Sequence, residues 1–144
     1  MTTKNKIDAI VREVVFNAPI EKVWHAITRP EEIQKWFGSA ASFELKQGEH
    51  GYFEWEQECE GRFAMRIETI TPPRYFAWRW MFQQDAVFDE ATSTLVEWTL
   101  TSTKSGGTHL SLIESGFLQS THKQANVKGW DQELGDLQQY VDSV

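Results

Sequence analysis

Between residues 42 and 117 hydrophobic and polar side chains alternate with a period of two, which places neighbouring side chains on opposite faces of a β-strand. Glycine and proline residues interrupt this alternation at short intervals, and no helical pattern lies between the interruptions. Strands this close together in a chain pair as an antiparallel meander. The pattern therefore predicts six strands, over residues 42–46, 50–57, 61–71, 74–82, 93–102 and 108–117.

The segments on either side of this region follow other patterns. Residues 7–16 combine β-branched residues with alternating charges, which predicts one further strand. Apolar residues at helical spacing come next, with Pro19 expected at the first position of one helix and Pro30 opening a second over residues 31–36. From residue 126 to residue 144 apolar side chains recur in steps of three and four, which predicts a long amphipathic helix. These elements predict one α+β domain that spans the chain.

The alternation gives the predicted sheet one polar face and one apolar face that is rich in large rings. The C-terminal helix is the only long amphipathic segment available to cover the apolar face. Large rings between a curved sheet and a single helix leave gaps, which would form a ligand cavity. The alternative is that the rings interdigitate and fill the interior. Periodicity alone leaves both alternatives open.

Composition narrows the classes of partner. Aromatic residues make up 13% of the chain, and such rings serve both a core and a pocket for a planar or apolar ligand. The net charge of -7 argues against nucleic acid and against an anionic membrane surface. The single cysteine excludes an internal disulfide and suits a reducing compartment. With no signal peptide or apolar span in the sequence, we expect a cytoplasmic protein without membrane insertion.

Five stretches resemble one protein family in their order and spacing. They are Ala18 to Gly38, Gly61 to Trp80, Ser93 to Leu100, Gly107 to Phe117, and Gly129-Trp130 with Leu134 and Leu137. Together they are similar to the START-like, or SRPBCC, superfamily, in the branch homologous to the activator of the heat shock protein 90 ATPase. The resemblance runs from about residue 7 to about residue 141.

This resemblance implies a helix-grip fold, in which a seven-stranded antiparallel sheet wraps around a long C-terminal helix and two small helices follow the first strand. It also implies a deep cavity between helix and sheet, which in relatives holds lipids, polyketides, hormones or aromatic metabolites. The ligand differs among relatives, so the family does not name it. The candidate ligand-binding residues are Trp36, Phe37, Phe53, Trp55, Met65, Trp78, Trp80, Trp98, Leu112, Glu114, Trp130 and Leu134.

Glu114 is the main candidate for chemistry. It continues the alternation of the last strand and is therefore expected to point inward, where a carboxylate beside indole rings would act as a general acid or anchor a ligand. The alternative is a residue at the cavity mouth, partly solvated or paired with an arginine. Arg79 and His122, the latter expected in the connection before the last helix, are further candidates for orienting a ligand.

No metal or cofactor site is predicted. Glu54, Glu56, Glu58 and Glu60 alternate along one strand and its turn, but side chains about 7 Å apart do not share an ion without help. We interpret them as a solvated face that pairs with arginines across the hairpin. Cys59 falls in the same turn without a predicted base beside it, which argues against a nucleophile.

Three functions follow from these features. The first is a binding protein for a small hydrophobic molecule. The second is a cofactor-independent enzyme, such as a polyketide cyclase or hydrolase, that uses Glu114 as acid or base. The third is a co-chaperone for the heat shock protein 90 ATPase, which ranks low because the true activators carry an additional N-terminal domain. A monomer or a homodimer is expected.

Overall fold

Seven antiparallel strands form one curved sheet in the computed structural model, which describes residues 7–55 and 61–143. The strands are β1 (Ile10–Phe16), β2 (Ala40–Ser42), β3 (His50–Trp55), β4 (Gly61–Thr71), β5 (Tyr75–Trp80), β6 (Thr94–Ser102) and β7 (Thr108–Ser115). Their order in the sheet is β1-β7-β6-β5-β4-β3-β2, so that β1 and β2 form its two edges. The meander from β2 to β7 agrees with the short connections of the sequence.

Three α-helices complete the fold. Helices α1 (Ile20–Thr28) and α2 (Pro30–Trp36) lie between β1 and β2, and α3 (Ser120–Asp142) follows β7. Pro19 is the N-cap of α1 and not its first residue, whereas Pro30 is the first residue of α2, where its missing N–H breaks no helical bond. Gly38, with φ +69°, turns the chain from the end of α2 toward β2. The predicted helix-grip fold is confirmed.

Two predicted boundaries differ from the structure by four residues or more. The strand expected over residues 42–46 is only Ala40–Ser42, because the chain turns at Gly48, whose N–H bonds to Ile67 of β4. Helix α3 begins at Ser120 and not at residue 126. Its first turns contain few aliphatic residues, but His122 is buried there against the ring of Phe82 and supplies the contact that an apolar side chain would make. The ends predicted at residues 57 and 144 lie outside the described residues.

The core lies between the inner face of the sheet and α3. The apolar stripe of α3 is buried at Trp130, Leu134, Leu137 and Val141. On the sheet side, the core consists of buried side chains at alternating positions of the strands. They include Phe53, Met65, Ile67, Phe76, Trp78, Val96, Trp98, Leu100, Leu110 and Leu112. Along the second half of α3, the interior is therefore filled by the protein's own rings and aliphatic chains.

The outer face of the sheet carries a charged network. The Arg66 guanidinium binds both carboxylate oxygens of Glu68, each at 2.9 Å, and also contacts Glu90. Arg79 donates from Nε to Glu68 at 2.9 Å. These side chains are partly solvated, so the network contributes modestly to stability and occupies the face opposite the core.

Candidate functional site

A cavity of about 1030 Å³ lies beside the packed core, where α3 faces the β2–β3 edge of the sheet. This volume is at the upper end of the range of small-molecule sites. Its walls come from α2 and the connection to β2, from β3, β4 and the end of β5, and from the first half of α3. The lining residues are Gln34, Phe37, Gly38, Ser39, Ala40, Glu54, Trp55, Phe63, Trp80, Met81, Phe82, His122, Ala125, Asn126, Lys128, Gly129, Trp130, Gln132 and Glu133.

Five rings form one side of the cavity, which we call the aromatic wall: Phe37, Trp55, Phe63, Trp80 and Trp130. Phe37 stands at its centre, with ring centroids 5.2 Å from Trp55, 5.8 Å from Trp130 and 6.0 Å from Trp80. Trp55 packs edge to face on Phe63 at 5.5 Å. Trp55, Phe63 and Trp80 are partly exposed, whereas Phe37 and Trp130 are almost fully buried, so the apolar surface offered to a ligand comes mainly from the first three rings.

Glu114 lies behind the aromatic wall and holds two of its indoles. Its Oε1 accepts from Trp130 Nε1 at 2.8 Å, and its Oε2 accepts from Trp80 Nε1 at 2.8 Å and from Thr94 Oγ1 at 2.5 Å. The side-chain amide of Asn126 donates to both oxygens, at 2.9 and 3.0 Å. We call these five residues the carboxylate cluster. All partners are donors, which suits a carboxylate with two accepting oxygens.

Glu114 is neither a partly solvated residue at the cavity mouth nor the partner of an arginine, the two structural roles that the sequence left open. Its side chain points inward as expected, but it is fully buried, so it is not a solvated residue at the cavity mouth. Among the described residues its partners are neutral and include no arginine. It does not line the cavity. The carboxylate therefore acts on the cavity through the side chains that it orients.

Helix α3 presents a polar stripe to the cavity, with His122, Asn126, Gly129 and Glu133 in steps of four, three and four. His122 lies with its ring centroid 3.9 Å from that of Phe82, and burial lowers its pKa, an effect that the negative charge of Glu114 opposes. The Asn126 amide nitrogen is 3.3 Å from His122 Nε2, which fits a neutral imidazole that accepts there. At Gly129 an added Cβ would meet no atom within 4 Å, so the helix backbone itself borders open space.

Glu133 is the titratable group with the most unusual surroundings in the cavity. The pKa of Glu133 is raised to about 8, mainly by burial and to a smaller extent by the negative charge of Asp136. Its Oε2 is buried and has no hydrogen-bond partner. The same holds for Oγ of Ser39, another lining residue. The cavity therefore contains two enclosed polar atoms whose hydrogen-bonding capacity the protein leaves unused.

The structure divides the twelve predicted site residues into two groups. Phe37, Trp55, Trp80 and Trp130 line the cavity. The others pack in the core or, for Glu114, behind the wall, and none of them borders the cavity: Trp36, Phe53, Met65, Trp78, Trp98, Leu112, Glu114 and Leu134. Of the two further orienting candidates, His122 lines the cavity, although it lies inside α3 and not in the preceding connection. Arg79 is on the outer face, bound to Glu68.

Sequence reasoning missed Ser39, Phe63, Phe82, Asn126 and Glu133. Alternation along β4 places Phe63 on the inner face, but it did not distinguish a wall residue from a core residue. The signal for Asn126 and Glu133 was the polar stripe beside the apolar stripe of α3, because two stripes on one helix face two different surroundings. Ser39 and Phe82 carry no periodic signal, since they lie in the connections after α2 and β5.

The predicted acidic face is described only in part. Glu54 pairs with Arg62 at 3.3 Å, as expected for an exposed hairpin pair, whereas Arg66 pairs with Glu68 and Glu90 instead. Glu56, Glu58, Cys59 and Glu60 lie outside the described residues. In residues 7–55 and 61–143, no group of three or more His, Cys, Asp or Glu side chains could hold a metal ion.

No helix within the described part of the chain is both long enough and apolar enough to cross a membrane.

Comparison with known proteins identifies relatives over nearly the whole chain. The family model described as Activator of Hsp90 ATPase homolog 1-like protein matches residues 17–142. Protein MLL2253 from Mesorhizobium loti is 27% identical, with a TM-score of 0.79 over 95% of this chain and 98% of that chain. DynU16, a protein of the dynemicin biosynthetic locus, is 27% identical, with a TM-score of 0.75 over 94% of this chain and 47% of that chain.

A more distant structure has the same fold. The Aha1 dimer from Colwellia psychrerythraea is 18% identical, with a TM-score of 0.74 over 94% of this chain and 97% of that chain. Among curated proteins none matches the sequence.

Proposed function

We propose that this chain, which belongs to the family of Activator of Hsp90 ATPase homolog 1-like proteins, binds a small hydrophobic or aromatic molecule in the cavity beside α3. The observation that carries the proposal is the aromatic wall. Its rings border a space of about 1030 Å³, and a buried carboxylate behind them fixes the orientation of two indoles. A binding surface held in place before the ligand arrives loses less conformational entropy on binding.

The area needed for useful affinity is compatible with this site. A micromolar Kd corresponds to about 8 kcal/mol. At about 25 cal/mol per Å², roughly 330 Å² of apolar surface must leave water, before ordering costs are counted. This is about the surface that two aromatic side chains bury in a protein core, and the cavity is bordered by three partly exposed rings of the aromatic wall, Trp55, Phe63 and Trp80.

The surroundings of Glu114 favour a binding protein over an enzyme that uses this residue as acid or base. Both oxygens of Glu114 already accept hydrogen bonds from the carboxylate cluster, and a general acid or base must reach the substrate. Glu114 is therefore a positioning residue in this proposal. A co-chaperone role is suggested by the family description alone, and no contact or charge of the described residues favours it.

A matched pair of glycines in α3 provides the test. Gly129 borders the cavity and Gly135 does not, while an added Cβ meets nothing within 4 Å at either position. We expect Gly129→Phe to fill the cavity and weaken ligand binding at least tenfold, whereas Gly135→Phe binds as the native sequence does. Native mass spectrometry of gently purified protein identifies a co-purified ligand, and tryptophan fluorescence during titration with lipids, flavonoids and polyketides measures the affinity. Equal binding by both variants would contradict the proposal.

A cytosolic monomer or homodimer completes the proposal. The Colwellia psychrerythraea protein is a dimer, and the edge strand β1 of this chain exposes Val11 and Val15 by more than half. Light scattering on the eluate of a sizing column measures the mass: twice the chain mass of 16.7 kDa indicates the homodimer.

A further inference from the structure

The cavity contains two polar atoms that the protein leaves without a hydrogen-bond partner. They are Oε2 of Glu133, on the polar stripe of α3, and Oγ of Ser39, which is 7% exposed in the connection to β2. The only other unpartnered buried side-chain atoms in the described part of the chain are the indole nitrogens of Trp78 and Trp98, which lie in the core. Enclosed polar atoms without a partner are costly, so a pair in one cavity indicates a ligand group that satisfies them.

The charges around Glu133 decide which ligand group fits. Asp136, one turn further along α3, is the charged residue that acts on it most, and its charge has the same sign. The other titratable residues of the cavity wall are Glu54, His122 and Lys128, and none forms a salt bridge with Glu133 within the described residues. Glu133 therefore has a like charge beside it and no counter-ion.

The elements packed against α3 do not supply the missing cation either. Helix α2 carries Glu31, Glu32 and Lys35, and Glu32 accepts a hydrogen bond from Tyr140 of α3. On β1, Arg12 is paired with Asp131 at 2.8 Å. On α1, Lys22 donates to the backbone oxygen of Val141, near the end of α3. No basic side chain of the described residues forms a salt bridge with Glu133, and the whole protein has a net charge of -7.

From these surroundings we propose that the ligand is an amphiphilic amine, whose ammonium group is bound by Glu133 and whose apolar body lies against the aromatic wall. The inference rests on the proposed function and specifies its ligand class. An ammonium group has only donors, and Glu133 Oε2, a buried atom without a partner, can accept from it. It supplies the counter-ion that Glu133 lacks, and the partly exposed rings of Trp55 and Trp80 attract a cation as well as an apolar body.

The same arrangement couples binding to a proton. Burial and the charge of Asp136 raise the pKa of Glu133 in the free protein, so some molecules carry a proton on this residue near neutral pH. An ammonium ligand favours the ionised form, and the proton of Glu133 passes to the buffer when the ligand binds. Binding near neutral pH is therefore expected to release protons, and the affinity is expected to rise with pH until Glu133 is fully ionised.

Two isosteric probes test the inference: 2-(1-naphthyl)ethylamine and 2-(1-naphthyl)ethanol. Isothermal titration calorimetry of the full chain at pH 7 and pH 8.5, in buffers of different ionisation heat, measures affinity and proton release. We expect the amine to bind at least tenfold more tightly than the alcohol, with proton release at pH 7. Glu133→Gln is expected to remove the preference for the amine and the proton release.

Control variants separate the two proposals. Glu44→Gln removes an exposed carboxylate that does not line the cavity, and it is expected to behave as the native sequence does. If the alcohol binds as tightly as the amine, or if Glu133→Gln keeps the preference, the amine inference is overturned. In that case the proposed function would still be supported if the alcohol binds to the native sequence and Gly129→Phe abolishes this binding. If neither probe binds, the amine inference fails, and the co-purified ligand in native mass spectrometry decides the proposed function separately.

Discussion

Replacing Glu133 by glutamine removes a charge with little change of shape, and it is expected to stabilise the protein only at high pH. In the folded protein the pKa of Glu133 is raised from 4.5 to about 8 by burial and by Asp136. Between these two values the unfolded chain releases a proton that the folded protein retains. The free energy of unfolding of the native sequence therefore falls as the pH rises through this window. The glutamine side chain of the variant has no such proton, so the variant's stability lacks this slope.

The magnitude follows from the two pKa values. For a fully enclosed carboxyl group, a pKa of about 8 in place of 4.5 corresponds to nearly 5 kcal/mol, at about 1.36 kcal/mol per pH unit. Solvent reaches part of the Glu133 side chain and screens its charge, so we expect about 1–2 kcal/mol. The stabilisation by Glu133→Gln is then a few tenths of a kcal/mol at pH 5 and about 1–2 kcal/mol at pH 9.

Urea unfolding followed by tryptophan fluorescence at pH 5, 7 and 9 measures this difference. The exposed Glu44→Gln variant serves as the control and is expected to show the same small difference at each pH. If Glu133→Gln changes the free energy of unfolding equally at pH 5 and pH 9, the carboxyl group titrates like a solvated one. The argument for an unpartnered carboxylate in the cavity would then be refuted.

Three further predictions concern stability. Glu114→Ala leaves the four donors of Trp80, Thr94, Asn126 and Trp130 without their acceptor, and is expected to cost on the order of 3–5 kcal/mol in urea unfolding; an unchanged midpoint would contradict the carboxylate cluster. Burial lowers the pKa of His122, so the free energy of unfolding should fall as the pH drops below about 6.5, where the unfolded chain takes up a proton that the folded protein does not; His122→Gln is expected to reduce this slope. Gly135→Ala adds a methyl group that meets nothing within 4 Å, and thermal unfolding should show a gain of up to about 1 kcal/mol.

Most of the fold could be predicted because its signals are local. The alternation of residues 61–71 and 108–117 fixes which side chains face α3, and the structure has β4 and β7 there. The start of α3 could not be predicted in this way. His122 counts as polar in a hydrophobic pattern, yet its ring packs between Phe82 and Phe117. Such a contact depends on the tertiary structure.

The candidate site was less predictable for a related physical reason. Alternation assigns Trp78 and Trp80 to the same face of the sheet. It does not predict which of the two rings packs against other side chains and which borders a cavity. In the structure Trp78 is 1% exposed in the core, and Trp80 lines the cavity. The difference depends on where α3 and the connection after α2 run across the sheet. Glu133 was missed because it lies on α3 beside the apolar stripe, where a polar residue in a sequence pattern usually indicates a solvent-exposed position.

The position of the carboxylate cluster explains how a cavity and a well-packed core exist side by side. A ring that borders a void lacks packing partners on one side, so dispersion forces hold it less firmly than a ring inside the core. Trp80 and Trp130 both border the cavity, and both donate their indole N–H to Glu114. In the core, the N–H groups of Trp78 and Trp98 have no acceptor, and close packing alone fixes these rings. For Trp80, which is partly exposed where Trp130 is buried, the hydrogen bond to Glu114 thus replaces the contacts that the open side of the ring cannot provide.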